Sequence, residues 1–191
     1  KASLRSAFSL LGNGYVLMMV LSIFLVVGVD VGFNSNSGQF LIKRFGIDQT
    51  AAESGRSIYF LGRMLGTFAG AILLTKISTG KFFMWTSVLG ILCLTAIVLV
   101  KSSAMAWVLV FLIGLAVANI WPLVFSIVIG KYPDKSNEIS GLVMMAISGG
   151  AVIPLLVGWV SDISNIALGM TILIACMVYL WLVSVYCLKK Q

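Results

Sequence analysis

Apolar residues fall along this chain in six runs of about 20, each bounded by charges or turn residues, a length that matches the hydrocarbon thickness of a bilayer. The runs are Tyr15 to Ser37, Ser57 to Leu74, Phe82 to Val100, Met105 to Ile129, Ile139 to Val160 and Ala167 to Leu188. They predict an all-α membrane protein of six transmembrane helices, folded as a single domain over residues 1–191. No stretch between them is long enough for a separate soluble domain.

The second run contains an arginine, and the residues around it are periodic. Gly62, Gly66 and Gly70 recur every fourth residue, which makes a groove where another helix approaches closely. Tyr59, Arg63 and Thr67 form a parallel polar stripe about 100° round the same helix. A guanidinium at membrane depth requires a partner or a water-filled cavity. Depth arithmetic supplies one. Asp30 lies fifteen residues past Tyr15, about 22 Å up the first helix, and Arg63 lies about 9 Å below the same outer edge. The two are expected to pair or to share a polar cavity, and two readings stand: a structural clamp between helices, or a group that takes part in gating or substrate contact.

The chain also contains an internal repeat. A shift of 86 residues lays Ser54-Gly55 on Ser140-Gly141 and Thr75-Lys76-Ile77-Ser78 on Ser161-Asp162-Ile163-Ser164. Three spans then three spans make the second triplet inverted relative to the first, a 3+3 inverted-topology repeat. Spans three and six hold no charge, Asn, Gln or Pro and are expected on the outside, facing lipid. The other four carry the polar groups and should line a cavity, since such groups are tolerated at membrane depth only there or against protein.

Within those four spans, Asp30, Asn34, Tyr59, Arg63, Asn119, Trp121 and Ser148 are the candidate cavity-lining and substrate-binding residues. Asn34 lies one turn beyond Asp30, with Asn36 and Gln39 following. Amides both donate and accept, as a sugar's hydroxyls require; alternatively Asn34 to Gly38 unwinds the helix end. Asn119, Pro122 and Ser126 share one face of the fourth span. Pro122 removes a backbone hydrogen bond and kinks that helix. Trp121 beside an amide suits a pyranose, which offers one face to stack and hydroxyls to bind, although bulk packing explains it as well. Gly149, Gly150 and Pro154 give the fifth span a seam that packs closely and bends; with Gly62, Gly66, Gly70 and Pro122 they are the candidate packing or hinge positions.

Composition narrows the function. Of the residues 60% are hydrophobic and only 10% charged, against about 25% charged in a soluble domain. The net charge of +7 comes from 13 Lys and Arg scattered in ones and twos, which read as topology signals and not as a nucleic-acid face. Eight of them (Lys1, Arg5, Lys76, Lys81, Lys131, Lys135, Lys189, Lys190) fall on one side and four (Lys43, Arg44, Arg56, Lys101) on the other, so both termini are expected in the cytoplasm. Histidine is absent, and Cys93, Cys176 and Cys187 sit singly in apolar runs, so no metal site, cofactor or disulfide framework is indicated. No nucleophile and base stand at catalytic spacing, so the chain is not expected to be an enzyme. Its first residue is Lys1 and not Met, which suggests a fragment.

Three motifs carry a resemblance. Phe60-Leu-Gly-Arg-Met-Leu-Gly-Thr67, Asn119-Ile-Trp-Pro-Leu-Val-Phe-Ser126, and Ser140-Gly-Leu-Val-Met-Met-Ala-Ile-Ser-Gly-Gly-Ala-Val-Ile-Pro154 followed by Gly158-Trp-Val-Ser-Asp162 resemble, in that order and spacing, the C-terminal half of major facilitator superfamily sugar permeases. The branch is that of the fucose and glucose/galactose permeases. The resemblance implies twelve helices, of which these are seven to twelve, and a proton-coupled monosaccharide importer of the inner membrane working by alternating access. It implies that protons travel through acidic residues of an N-terminal half; alone, this half is expected to be inactive, because the substrate site lies between two halves. Asp30 occupies the place of the family's acidic residue in helix seven, whereas Trp121 departs in residue type, so the sugar's identity does not carry over. The alternatives are a carrier of another small solute, such as a drug or amino acid, and a non-transporting assembly or sensor subunit.

Overall fold

The computed structural model describes residues 4–189, which form nine α-helices and two short 3-10 turns. A short helix, α1 (Leu4–Ser9), leads into α2 (Gly14–Phe45), α3 (Gln49–Leu73) and α4 (Thr79–Leu99). The chain continues through α5 (Ser103–Val117), α6 (Ile120–Lys131), α7 (Ser136–Ala146), α8 (Gly149–Ile163) and α9 (Ile166–Lys189). Five segments are long and apolar enough to cross a membrane: α2, α4, the continuous pair α5 and α6, the pair α7 and α8, and α9. The helix α3 is not among them, because Arg63 lies within its apolar run and Arg56 just before it, although its 25 residues reach about 37 Å.

The first helix is longer than its apolar run. It continues past Ser37 to Phe45, so Asn34 to Gly38 does not unwind it. The polar side chains there fold back on their own helix, Asn36 Nδ2 donating to the Gly32 carbonyl at 2.9 Å and Ser37 Oγ to that of Asn34 at 3.1 Å. The stop comes at Gly46, whose φ of 64° is the left-handed conformation that ends helices. Asp48 then caps α3 by accepting from the Thr50 N–H at 3.0 Å, which starts that helix eight residues before Ser57.

Spans four and five are each broken in two. The break between α5 and α6 falls at Ala118 and Asn119, which puts Pro122 in the first turn of α6, where its missing N–H leaves no bond unmade. The break between α7 and α8 falls at Ile147 and Ser148, ahead of Pro154 in the interior of α8.

Helices in a bilayer gain little from burying apolar surface against one another, so close packing decides which pairs adhere. Here α3 lies along α5, and α2 lies along α8. A Cβ at Gly62 would overlap the carbonyl of Phe111, and one at Gly114 the carbonyl of Tyr59. At the other contact a Cβ at Gly149 would overlap the carbonyl of Phe24, and one at Gly28 the side chain of Ile153. The helix α9 packs against α2, α4 and α8, and α4 packs against α5 and α9. Each of α4 and α9 turns its other face outward through Trp85, Leu92, Leu99 and Leu182. Met19, Ile23, Phe33, Phe83, Ile113 and Met177 are fully buried at the centre.

Candidate functional site

Tyr59 and Arg63 stand one turn apart on α3, and α3 lies beside α2, so both reach the Asp30 carboxylate. Arg63 Nη1 lies 2.5 Å from Asp30 Oδ2, and the Tyr59 hydroxyl donates to Asp30 Oδ1 at 2.6 Å. Each carboxylate oxygen therefore has its own donor, and both bonds are of the short, charge-assisted kind. Tyr59 is completely buried, with its ring 5.4 Å from that of Phe33 and its backbone against Gly114. That packing aims the hydroxyl. Arg63 is 36% exposed, and among the described residues its remaining N–H groups have no protein acceptor.

Those free donors open into a cavity of about 180 Å³ lined by Val26, Val27, Asp30, Arg63, Val117, Trp121 and Ile147. The lining comes from α2, α3, the end of α5, the start of α6 and the break after α7. Trp121 stacks on Phe125 one turn along, with ring centroids 5.4 Å apart and planes 19° from parallel. One wall is thus an aromatic slab and another a guanidinium fork held by an anion. The lining thus sets an apolar, aromatic surface beside charge-held hydrogen-bond donors. Val26 and Val27, which sequence reasoning passed over, lie four and three residues before Asp30, a spacing that puts them on the same face.

The remaining candidates lie elsewhere. Asn119, expected to line the cavity, turns toward α3, where its Nδ2 donates to the Gly66 carbonyl at 2.7 Å. That bond ties the break between α5 and α6 to α3, and the amide packs where a Cβ at Gly70 would sit. Replacing Asn119 with Leu is expected to lower stability by about 1 kcal/mol, read from thermal unfolding in detergent. Ser148 is exposed and lines a separate groove with Phe24 and Met145. Thr67 is exposed, and its hydroxyl donates to the Arg63 carbonyl of its own helix at 2.9 Å. Asn34 lies one turn beyond Asp30, and its buried Oδ1 has no hydrogen-bond partner among the described residues. Gly150 packs on Val27 and Val31, whereas Pro122 lies exposed on α6. Among the described residues no group of three His, Cys, Asp or Glu could hold a metal ion.

The arrangement of helices matches a known architecture. The crystal structure of the major facilitator superfamily transporter FucP in the outward conformation superposes with a TM-score of 0.89 at 18% identity, covering 97% of this chain and 45% of that one. The fold is that of the major facilitator superfamily. A crystal structure of the E. coli fucose:proton symporter FucP aligns equally well, at a TM-score of 0.89 over 97% of the chain. With the major facilitator fold and five apolar membrane-crossing segments, the chain is a multi-pass membrane protein.

Sequence relatives with transporter names are more similar than the solved structures. A "putative glucose/galactose transporter" of Helicobacter pylori (strain ATCC 700392 / 26695) is 27% identical over 158 residues, or 81% of this chain and 38% of that protein. A "glucose/galactose transporter" of Brucella abortus biovar 1 is 27% identical over 168 residues, 87% of the chain and 40% of the relative. The "glucose/mannose transporter GlcP" of Bacillus subtilis is 26% identical over 152 residues, 78% of the chain and 37% of the relative. These relatives are named as transporters and not as enzymes. The chain thus spans about two fifths of the length of the curated relatives it matches. No protein-family model matches it.

Proposed function

We propose that this chain is the C-terminal six-helix half, helices seven to twelve, of a monosaccharide/proton symporter. The observation that carries the reading is the match at a TM-score of 0.89 to 97% of this chain but only 46% of a fucose:proton symporter. Its polar cavity supports the same reading, because Asp30, Arg63 and Trp121 converge from the helices that sequence reasoning put at the centre.

The helix boundaries support an inverted 3+3 repeat. Shifted by 86 residues, Phe45 at the end of α2 falls on Lys131 at the end of α6. Gln49 at the start of α3 falls on Lys135, next to the start of α7, and Thr79 at the start of α4 falls on Asn165, next to the start of α9. Contacts follow the same exchange, since α2 packs on α8 as α3 packs on α5. In this reading α3 is the sixth membrane-crossing segment, its arginine cost offset by Asp30.

The half rocks against an N-terminal partner around a site near the membrane centre, and the partner carries the protons. Arg5, Lys76, Lys81, Lys131, Lys135 and Lys189 lie at one end of the bundle, which favours a cytoplasmic location for both termini and the inner membrane of a bacterium. Reconstituted alone in liposomes, the chain should not take up labelled monosaccharide, and co-reconstitution with the rest of its protein should restore saturable, pH-gradient-driven uptake. Saturable uptake by the chain alone overturns the half-transporter reading. Competition by amino acids or drugs but not by hexoses overturns the substrate class.

A further inference from the structure

On the flank of the bundle, between α3, α4 and α5, runs an apolar groove of about 220 Å³ that the cavity at Asp30 does not touch. Leu73, Ile77, Phe82, Trp85, Leu89 and Leu115 line it. From Phe82 to Leu89 it descends about 10 Å along α4, half the length of an extended fatty acyl chain. Its outer end meets the turn that carries Lys76 and starts α4 at Thr79, and Lys81 stands one residue before Phe82. Both lysines are exposed, and among the described residues neither makes an ion pair. No Asp or Glu occurs between residues 54 and 133, so nothing in these elements neutralises them. Trp85, one turn below Lys81, is 63% exposed beside the groove.

An amphipathic indole between a basic turn and an apolar channel is the pattern of a membrane interface. The lysine stems lie along apolar surface while their ammonium groups reach the headgroup layer. We propose that the groove holds one anionic phospholipid. Its phosphate sits between Lys76 and Lys81, its glycerol lies against Trp85, and one acyl chain follows Leu73, Phe82 and Leu89 inward. A zwitterionic lipid fills the groove with its chain but leaves the two ammonium groups without a net counter-charge. The lipid ties α3 to α4 and so steadies the helix that carries Arg63. The site depends only on the bundle being in a bilayer, so it stands whatever solute is carried.

The test is thermal unfolding of the chain in phosphatidylcholine nanodiscs with and without a fraction of phosphatidylglycerol. Phosphatidylglycerol should raise Tm by roughly 5 °C, as mass action predicts for a ligand well above its Kd. In Lys76→Gln/Lys81→Gln the rise should drop by more than half with Tm in pure phosphatidylcholine unchanged, while Lys43→Gln/Lys101→Gln, at the opposite end, should keep it. Bromine on the acyl chains of phosphatidylglycerol should quench tryptophan emission more than bromine on those of phosphatidylcholine, and Trp85→Phe should erase that difference. Equal loss of the rise in the two lysine pairs, or equal quenching by the two lipids, overturns the proposal. Reproduction of the rise by soluble glycerol phosphate also overturns it, because the site then binds a free anion.

Discussion

Replacing Arg63 with Gln is expected to destabilise the bundle by about 3 kcal/mol, and adding Asp30→Asn to that variant should return more than half of the loss. Asp30 is 17% exposed, and without the guanidinium it keeps a single donor, the Tyr59 hydroxyl, in a medium that solvates an anion poorly. Removing the charge from both partners removes the penalty as well. An amide oxygen at the Asp30 position still accepts from Tyr59, so the buried phenol is not orphaned. The single change Asp30→Asn should cost less than Arg63→Gln, because Arg63 is 36% exposed and turns its free donors toward the cavity. Unfolding of wild type, both single variants and the double gives a coupling energy of about 2 kcal/mol. Additive losses would mean that the two charges do not support each other. Exchanging the charges should rescue less than neutralising them. An arginine at the Asp30 position replaces the acceptor that the Tyr59 hydroxyl meets at 2.6 Å with a larger group that only donates.

The same three residues show how far the pattern of residues reaches. Charges in apolar spans are conspicuous, and a rise of 1.5 Å per residue brings Asp30 and Arg63 to one level from their positions alone. Tyr59 was placed on the same polar stripe as Arg63, but its bond to Asp30 was not foreseen, because its aim depends on being buried against Phe33 and Gly114. Asn119 was assigned by residue type and span. Its direction is decided by the break beside it, which lets the amide turn back to Gly66. The end of α2 was placed eight residues early for a related reason. Asn36 and Ser37 read as helix breakers, yet here both hydrogen-bond backward along the helix. The valines of the cavity wall, Val26, Val27 and Val117, were overlooked since valines in a membrane span carry no signal of their own. What remained legible was periodicity, and the glycines at every fourth residue of α3 are the strongest case.

Gly62→Ala should cost about 3 kcal/mol, whereas Gly158→Ala, the same substitution in another helix, should be neutral or stabilising by about 0.5 kcal/mol. The difference lies in what a methyl group meets. At Gly62 it would overlap the Phe111 carbonyl, and neither backbone can yield without parting α3 from α5 along the line that also joins Gly66 to Leu115 and Gly114 to Tyr59. At Gly158 an added Cβ meets no other part of the bundle within 4 Å among the described residues, so only the gain in helix propensity remains. Gly149→Ala should resemble Gly62→Ala, since its methyl would overlap the Phe24 carbonyl at the contact of α8 with α2. The consequence extends past stability. The Tyr59 backbone rests on Gly114 while its hydroxyl holds Asp30, so parting α3 from α5 also withdraws Tyr59 and Arg63 from α2. Gly62→Ala should therefore reduce the coupling between Arg63 and Asp30 measured in a double-mutant cycle on its own background, and Gly158→Ala should leave that coupling intact. Equal stability of the two alanine variants would show that α3 and α5 do not meet backbone to backbone.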